Sequence, residues 1–144
     1  MKQKIKIVLT YDHVWYHHPL TIETKLNGHL LNLDVSGQNK VIIEKTVGVE
    51  KGPQTLSLVI SGKDNANNLF DDHGDLIQNT LVQIQQLEID DVNLTHMILN
   101  GESLFQSSDT PSKTLENTLT FGFNGAWKMQ FEVPFYDWLL SKLF

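Results

Sequence analysis

The feature that most constrains this chain is alternation: apolar residues recur at every second position through most of its length. That period suits half-buried strands and defeats an amphipathic helix. In the first strand Ile5, Ile7, Leu9 and Tyr11 share one face, with Lys4, Lys6 and Thr10 on the other. Asn27-Gly28 separates the next two alternating runs and favours a type I′ turn, whose central positions both need positive φ. A two-residue turn sets Leu26 opposite His29, Thr24 opposite Leu31, Ile22 opposite Leu33 and Leu20 opposite Val35.

Further strands are expected at 40–46, 54–61, 81–90 and 93–99. Within 81–90 the phase changes, since Val82 and Ile84 lie on one parity and Leu87 and Ile89 on the other. A bulge at Gln85-Gln86 reconciles them. At Asn124-Gly125 a two-residue turn would pair Phe121 with Lys128 and mix the faces. A one-residue slip pairs Phe123 with Trp127, Phe121 with Met129 and Leu119 with Phe131, so burial predicts an odd-length hairpin loop (Asn124, Gly125, Ala126) or a bulge beside the turn. The serine-rich stretch 101–113 reads as a long surface loop. Short strands with turn signals every ten or so residues make an all-β antiparallel β-sandwich, jelly-roll-like, filling residues 1–144 as a single domain.

The last residues break the pattern. Pro134 stands where a helix can begin without its missing N–H being felt. Phe135, Trp138, Leu139 and Leu143 then fall at helical spacing, while Tyr136, Leu140 and Phe144 widen the apolar surface. A short helix over 135–144 is expected, either capping an open end of the sandwich or docking on another chain. So short a helix is marginal alone and needs something packed against it.

Composition sets the outer limits. The 144 residues carry 11 Lys and Arg against 17 Asp and Glu, a formal charge of −6, which is the wrong footprint for a nucleic-acid binder. No apolar run approaches the ~18 residues of a membrane span. The N-terminal Lys/aliphatic alternation is unlike a signal peptide. There are no cysteines, hence no disulfides, thiol nucleophile or thiolate metal site.

Candidate chemistry is sparse. His13, His17 and His18 cluster with Trp15 and Tyr16 before Pro19, but no fourth ligand sits at zinc spacing. No Gly-x-Ser-x-Gly elbow occurs. Asp71-Asp72 and Asp90-Asp91 are neighbours that point apart on a strand, so neither pair can share a proton, and both read as turns. The richest oxygen source is 64–75, with four Asp and three Asn in twelve residues. Calcium takes about six to eight oxygens, and Asp64, Asn65, Asn67, Asp71 and Asp75 are its candidate ligands. The stretch is not an EF-hand, because Leu69 stands where that loop needs Gly. A polar hairpin with Asp72-His73-Gly74 at its tip is the plainer reading.

Two resemblances add to this. The run Gln54-Thr55-Leu56-Ser57-Leu58-Val59-Ile60-Ser61-Gly62-Lys63-Asp64-Asn65, followed after a hairpin by residues 81–92, resembles the calcium-dependent xylan-binding carbohydrate-binding modules. Asp64 and Asn65 match the Asn/Asp segment of that family. Asn79 and Thr80 stand where a further acidic ligand is usual, and Asp91 replaces the Gly expected after Asp90. The same core, with the Asn-Gly turn and the ending Phe131-x-Val133-Pro134-x-Tyr136-x-Trp138-Leu139-Leu140, resembles small proteins of tailed bacteriophages.

The resemblances imply a non-enzymatic structural or accessory virion protein, made in the host cytoplasm. It would act as an interaction module for other virion subunits, a second copy of itself, or a host-surface glycan. Phe135, Trp138, Leu139, Leu140, Leu143 and Phe144 would dock it, and Trp15 and Tyr16 would be its surface recognition pair. The alternative is a calcium-dependent carbohydrate-binding module. Calcium is the sole cofactor candidate; nucleic acid and membrane are not expected partners.

Overall fold

The structure, a computed structural model, describes residues 2–99, 103–108, 114–116 and 118–143, less the side chains of Asn65 and Leu143. Thirteen strands run through the described residues: β1 (Gln3–Val14), β2 (Thr21–Leu26), β3 (His29–Asp34), β4 (Lys40–Val49), β5 (Gly52–Ser61), β6 (Leu69–Phe70), β7 (Leu76–Gln78), β8 (Leu81–Ile89), β9 (Val92–Asn93), β10 (Ser103–Ser107), β11 (Thr114–Glu116), β12 (Thr120–Phe121) and β13 (Gly125–Val133). Two helices join them, the single turn α1 (Thr95–Met97) and α2 (Phe135–Leu143). One sheet has the order β12-β8-β1-β4, with β9 also on β8; a second has β11-β10-β13-β5-β2-β3, and β6 and β7 pair as a separate two-stranded sheet. All pairings among the described residues are antiparallel, and the molecule is a β-sandwich.

The alternation of β1 is realised as expected. Ile5, Ile7, Leu9 and Tyr11 are buried and face Ile22, Leu56, Leu58 and Ile60 in one continuous core. Each such side chain, fully buried, contributes about 1.5–3 kcal/mol. The bulge in β8 is present: Thr10 pairs with Gln86 and Tyr11 with Ile84, so Gln85 is skipped and both apolar phases turn inward. Asp90 and Asp91, at φ 49° and 67°, form the tight turn into β9.

Four sequence expectations are corrected. The Asn27-Gly28 turn forms and sets Leu26 opposite His29, but a bulge follows, so Thr24 faces Asn32 and Ile22 faces Asp34. β3 is an edge strand; it turns Leu30 and Leu33 to solvent and buries Asp34. The second expected hairpin does not exist. β13 lies between β10 and β5 with both edges taken, and β12 instead pairs with β8 in the opposite sheet. Phe121 thereby stacks on Phe105 at 5.0 Å and lies 6.3 Å from Trp127, closing one end of the core.

The other two corrections concern 93–108. Only Val92–Asn93 is strand; Leu94, Met97 and Ile98, all buried, sit at helical rather than strand spacing around α1. Within the expected loop 101–113, β10 alternates Ser103, Phe105 and Ser107 inward. Residues 101, 102 and 109–113 of that loop lie outside the described residues.

Beneath the β2–β3 side lies a buried polar group. Tyr11 Oη, His13 Nδ1, Thr24 Oγ1 and Asp34 Oδ2 are shut from solvent without a hydrogen-bond partner. His13 Nδ1 is 3.9 Å from Asp34 Oδ2, and its Nε2 accepts from the Leu20 amide at 3.3 Å. Burial, opposed only in part by Asp34, holds the His13 pKa below its ordinary value. Burial first, then the Asp34 charge, pushes the Tyr11 phenol upward.

Candidate functional site

The two ends of the sandwich differ. At one end the strands β1, β5, β8 and β12 open into the loops 15–20, 62–80 and 122–124; at the other end sit the β2–β3 and β4–β5 turns and α2. The residues expected to bind calcium all lie at the loop end.

Three of the five side chains, those of Asp64, Asn67 and Asp71, are already committed, while Asp75 is exposed in the hairpin. Asp64 caps the 3₁₀ turn Asn65–Asn67: its carboxylate accepts from the Ala66 amide at 2.9 Å. Both of its oxygens also face His18 Nε2 at 3.2 Å. The His18 Nδ1 lies 3.1 Å from the Pro19 carbonyl, which with Asp64 raises the imidazole pKa above its ordinary value. In turn His18, and then the Ala66 amide, lower that of Asp64.

Asn67 is wholly buried, and its amide staples two loops together. Its Nδ2 donates to the carbonyls of Tyr16 (3.2 Å) and His18 (2.8 Å), while its Oδ1 accepts from the Asp64 amide at 2.8 Å. Thr80, equally buried, donates its hydroxyl to the Asn67 carbonyl at 2.7 Å and accepts from the Tyr16 amide at 2.8 Å. Asp71 is spent on its own turn, its Oδ1 accepting from the amides of His73 and Asp75 at 2.9 Å. Asp72-His73-Gly74 is the hairpin tip, as its composition suggested.

A basic side chain occupies the place where oxygens do converge. Lys63 Nζ donates to Asn79 Oδ1 at 2.8 Å, to the Thr80 carbonyl at 2.9 Å and to the Gly122 carbonyl. Its own backbone is locked to Asn124 by reciprocal bonds, Lys63 N to Oδ1 at 2.8 Å and Nδ2 to Lys63 O at 2.9 Å. Among the described residues no three His, Cys, Asp or Glu side chains converge as metal ligands. Calcium takes about six to eight oxygens, carboxylates commonly among them. Asp64 faces an imidazole, Asp71 faces its own turn, exposed Asp75 joins no cluster of three such ligands, and an ammonium fills the carbonyl cluster, so the described residues do not fit the ion. The side chain of Asn65 lies outside the described part.

The expected recognition pair is modified. Trp15 is half-buried, its Nε1 donating to the Gly37 carbonyl at 2.9 Å. A Cβ on Gly37 would meet that indole at 2.9 Å, so the ring is seated on the glycine rather than presented as a plate. Half-exposed Tyr16 is joined instead by exposed His17, whose ring lies 6.4 Å from Tyr16 and 5.7 Å from His18. His17 has φ 75°, a left-handed conformation rare outside glycine. Beside this group the β6–β7 hairpin exposes Phe70, Leu76 and Ile77.

The expected docking set divides. Phe135 and Trp138 are buried against Phe131, with ring centroids 6.4 and 6.3 Å from it, and are unavailable to a partner. Leu139 is half-buried; Leu140 and Tyr136 are exposed, and the Tyr136 hydroxyl donates to the Asp90 carbonyl at 3.1 Å. Phe144 and the Leu143 side chain lie outside the described residues. At this end a cleft of about 520 Å³ opens between the sheets, lined by Leu26, His29, Leu31, Val49, Lys51 and Pro53 among others.

Sequence reasoning had no signal for Lys63, His18 or Asn124 as partners of this site. Their contacts cross 59 residues or more for the Lys63–Gly122 and Lys63–Asn124 bonds and 46 for His18–Asp64.

Compared with known proteins, the chain matches no family model and no curated protein. Two solved structures share its fold. One is vCBM60 in complex with galactobiose: TM-score 0.52 and 9% identity over 86% of this chain and 96% of that one. Another is a selenomethionine form of vCBM60, described in connection with a circular permutation linking two families of calcium-dependent carbohydrate binding modules. It has TM-score 0.54 and 9% identity over 87% and 89% of the two chains. The fold is that of a carbohydrate-binding-module β-sandwich.

Proposed function

We propose that this chain is a non-enzymatic glycan-recognition module whose binding surface is the loop end. The observation that carries the reading is the pinned surface itself. Buried Asn67 and Thr80 fix Tyr16, His17 and His18 beside Asp64, on a sandwich shared with a galactobiose-binding module. Groups held rigid before binding cost less entropy to order when the ligand arrives. The Tyr16 and His17 rings offer apolar faces to the C–H side of a sugar. The Asp64 carboxylate, which keeps acceptor capacity beyond the Ala66 amide and His18, offers a charged acceptor to the sugar hydroxyls, and charge-assisted bonds are the stronger ones. The strained φ of His17 belongs to the kind of outlier that clusters at binding sites.

Galactose-containing oligosaccharides are the first ligands to try, and xylans the second. The virion role expected from the sequence gains no support from the fold comparison, which backs the glycan-binding alternative better. Affinity gel electrophoresis through galactan, xylan and microbial wall polysaccharides tests the reading. Retention on at least one, reduced tenfold or more in Tyr16→Ala/His17→Ala with the far-ultraviolet circular dichroism unchanged, is the expected result. Retention that this double variant leaves intact, or none on any polymer, rejects it.

A further inference from the structure

Lys63 directly follows Gly62 at the end of β5, and every hydrogen-bond partner of its ammonium is a neutral oxygen: Asn79 Oδ1, Thr80 O and Gly122 O. An ammonium has three donors and no acceptor, so the three oxygens use its whole capacity. The segments that meet on it come from both layers. Residues 62–64 continue β5 of one sheet, and 79–80 lead into β8 of the other. Residues 122–124 carry the chain from β12 across to β13. Asn124 repeats the tie through the Lys63 backbone. One cation in an oxygen cluster thus gathers three loops, which is the arrangement a bound metal ion gives a loop-rich site.

We infer that Lys63 is a tethered cation that takes the place of a dissociable one, so that the loop end is assembled without calcium. Three considerations carry this. The oxygens converge on Nζ and on no other cation among the described residues. Two of the carboxylates nearest in sequence are engaged elsewhere, Asp64 with His18 and Asp71 within its own turn, and no three such ligands converge among the described residues. A divalent ion brought into the cluster would also face the ammonium at contact range, where like charges repel. Partial burial lowers the Lys63 pKa. The inference stands on the Lys63 geometry and does not depend on which ligand the loop end takes.

The test uses the full chain. Thermal unfolding is followed in 5 mM calcium chloride and in excess chelator, and the lysine Nζ resonances are recorded by ¹⁵N NMR. The expected result is a midpoint that agrees within about 1 °C between the two conditions, with one lysine ammonium protected from exchange and lost in Lys63→Met. Lys63→Met, which keeps the stem and drops the charge, is expected to melt several degrees lower. A calcium-induced rise of about 5 °C or more, the scale expected of a saturating ligand on a domain of this size, overturns the inference. So does a Lys63→Met protein that melts with the wild type, or a Lys63 ammonium exchanging as fast as the surface lysines. If the melt ignores calcium and no glycan is retained, the recognition reading fails and this one stands.

Discussion

Two histidines a few residues apart respond to protons in opposite ways. His13 is buried beside Asp34 and its pKa is lowered, so the native state takes up its proton later than the unfolded chain does. Its share of stability is complete above the unfolded value of about 6.5 and is lost as pH falls through the lower native one. His18 is raised by the Pro19 carbonyl and Asp64. The stability from its protonated pairing is complete below that same unfolded value and is lost as pH rises through the higher native one. Proton NMR titration should therefore show His18 titrating above, and His13 below, the ordinary histidine range. A common midpoint would contradict both environments.

Gly125 is a sharper case. It has φ 156°, and a Cβ there would lie 2.3 Å from the Gln106 carbonyl oxygen and 2.9 Å from Phe105 Cζ. Gly125→Ala should cost about 3 kcal/mol in urea unfolding. The sequence marks this residue only as half of an Asn-Gly pair, which suggested a hairpin. What it accommodates is the close passage of β10, a contact that no local pattern encodes.

At the scale of elements, α2 is tied to the sandwich through Phe135 and Trp138, and the cation of Lys142 lies 5.9 Å above the Trp138 ring. Trp138→Ala should lower stability by about 3 kcal/mol or more. Leu140→Ala, at an exposed position of the same helix, should change it by less than about 0.5 kcal/mol. Equal effects in denaturant titration would mean that the helix is seated otherwise. The strands and helix that could be read in advance carry their instructions locally: alternation in β1, the phase change in β8, the turn at Asn27-Gly28, Pro134 before α2. What escaped depends on choice of neighbour. β12 and β13 were each read as strand correctly, yet they belong to different sheets. β10 was hidden because two of its three inward positions are serines.

Across the whole molecule, the fold separates two surfaces. One end is a rigid cluster of polar loops with His18, Asp64, Asn67 and Lys63 cross-braced through Asn79, Thr80 and Asn124. The other is an apolar cleft beside the β2–β3 turn, with α2 packed at the same end. The candidate site was half legible. The oxygen-rich stretch 64–75 does belong to the loop end, but Asp64, Asn67 and Asp71 serve there as a cap, a staple and a turn. The imidazole of His18 is 46 residues from Asp64, and the ammonium of Lys63, which borders the stretch, reaches a carbonyl 59 residues away. The most direct measurement is a ¹⁵N–¹H correlation titration of the full chain with the oligosaccharide corresponding to the best-retained polysaccharide. Glycan recognition at the loop end predicts saturable shifts concentrated in residues 15–18, 63–68 and 79–80, unchanged by chelator. Shifts centred instead on Leu26, His29, Val49 and Lys51 would put the binding surface at the opposite end of the sandwich and contradict it.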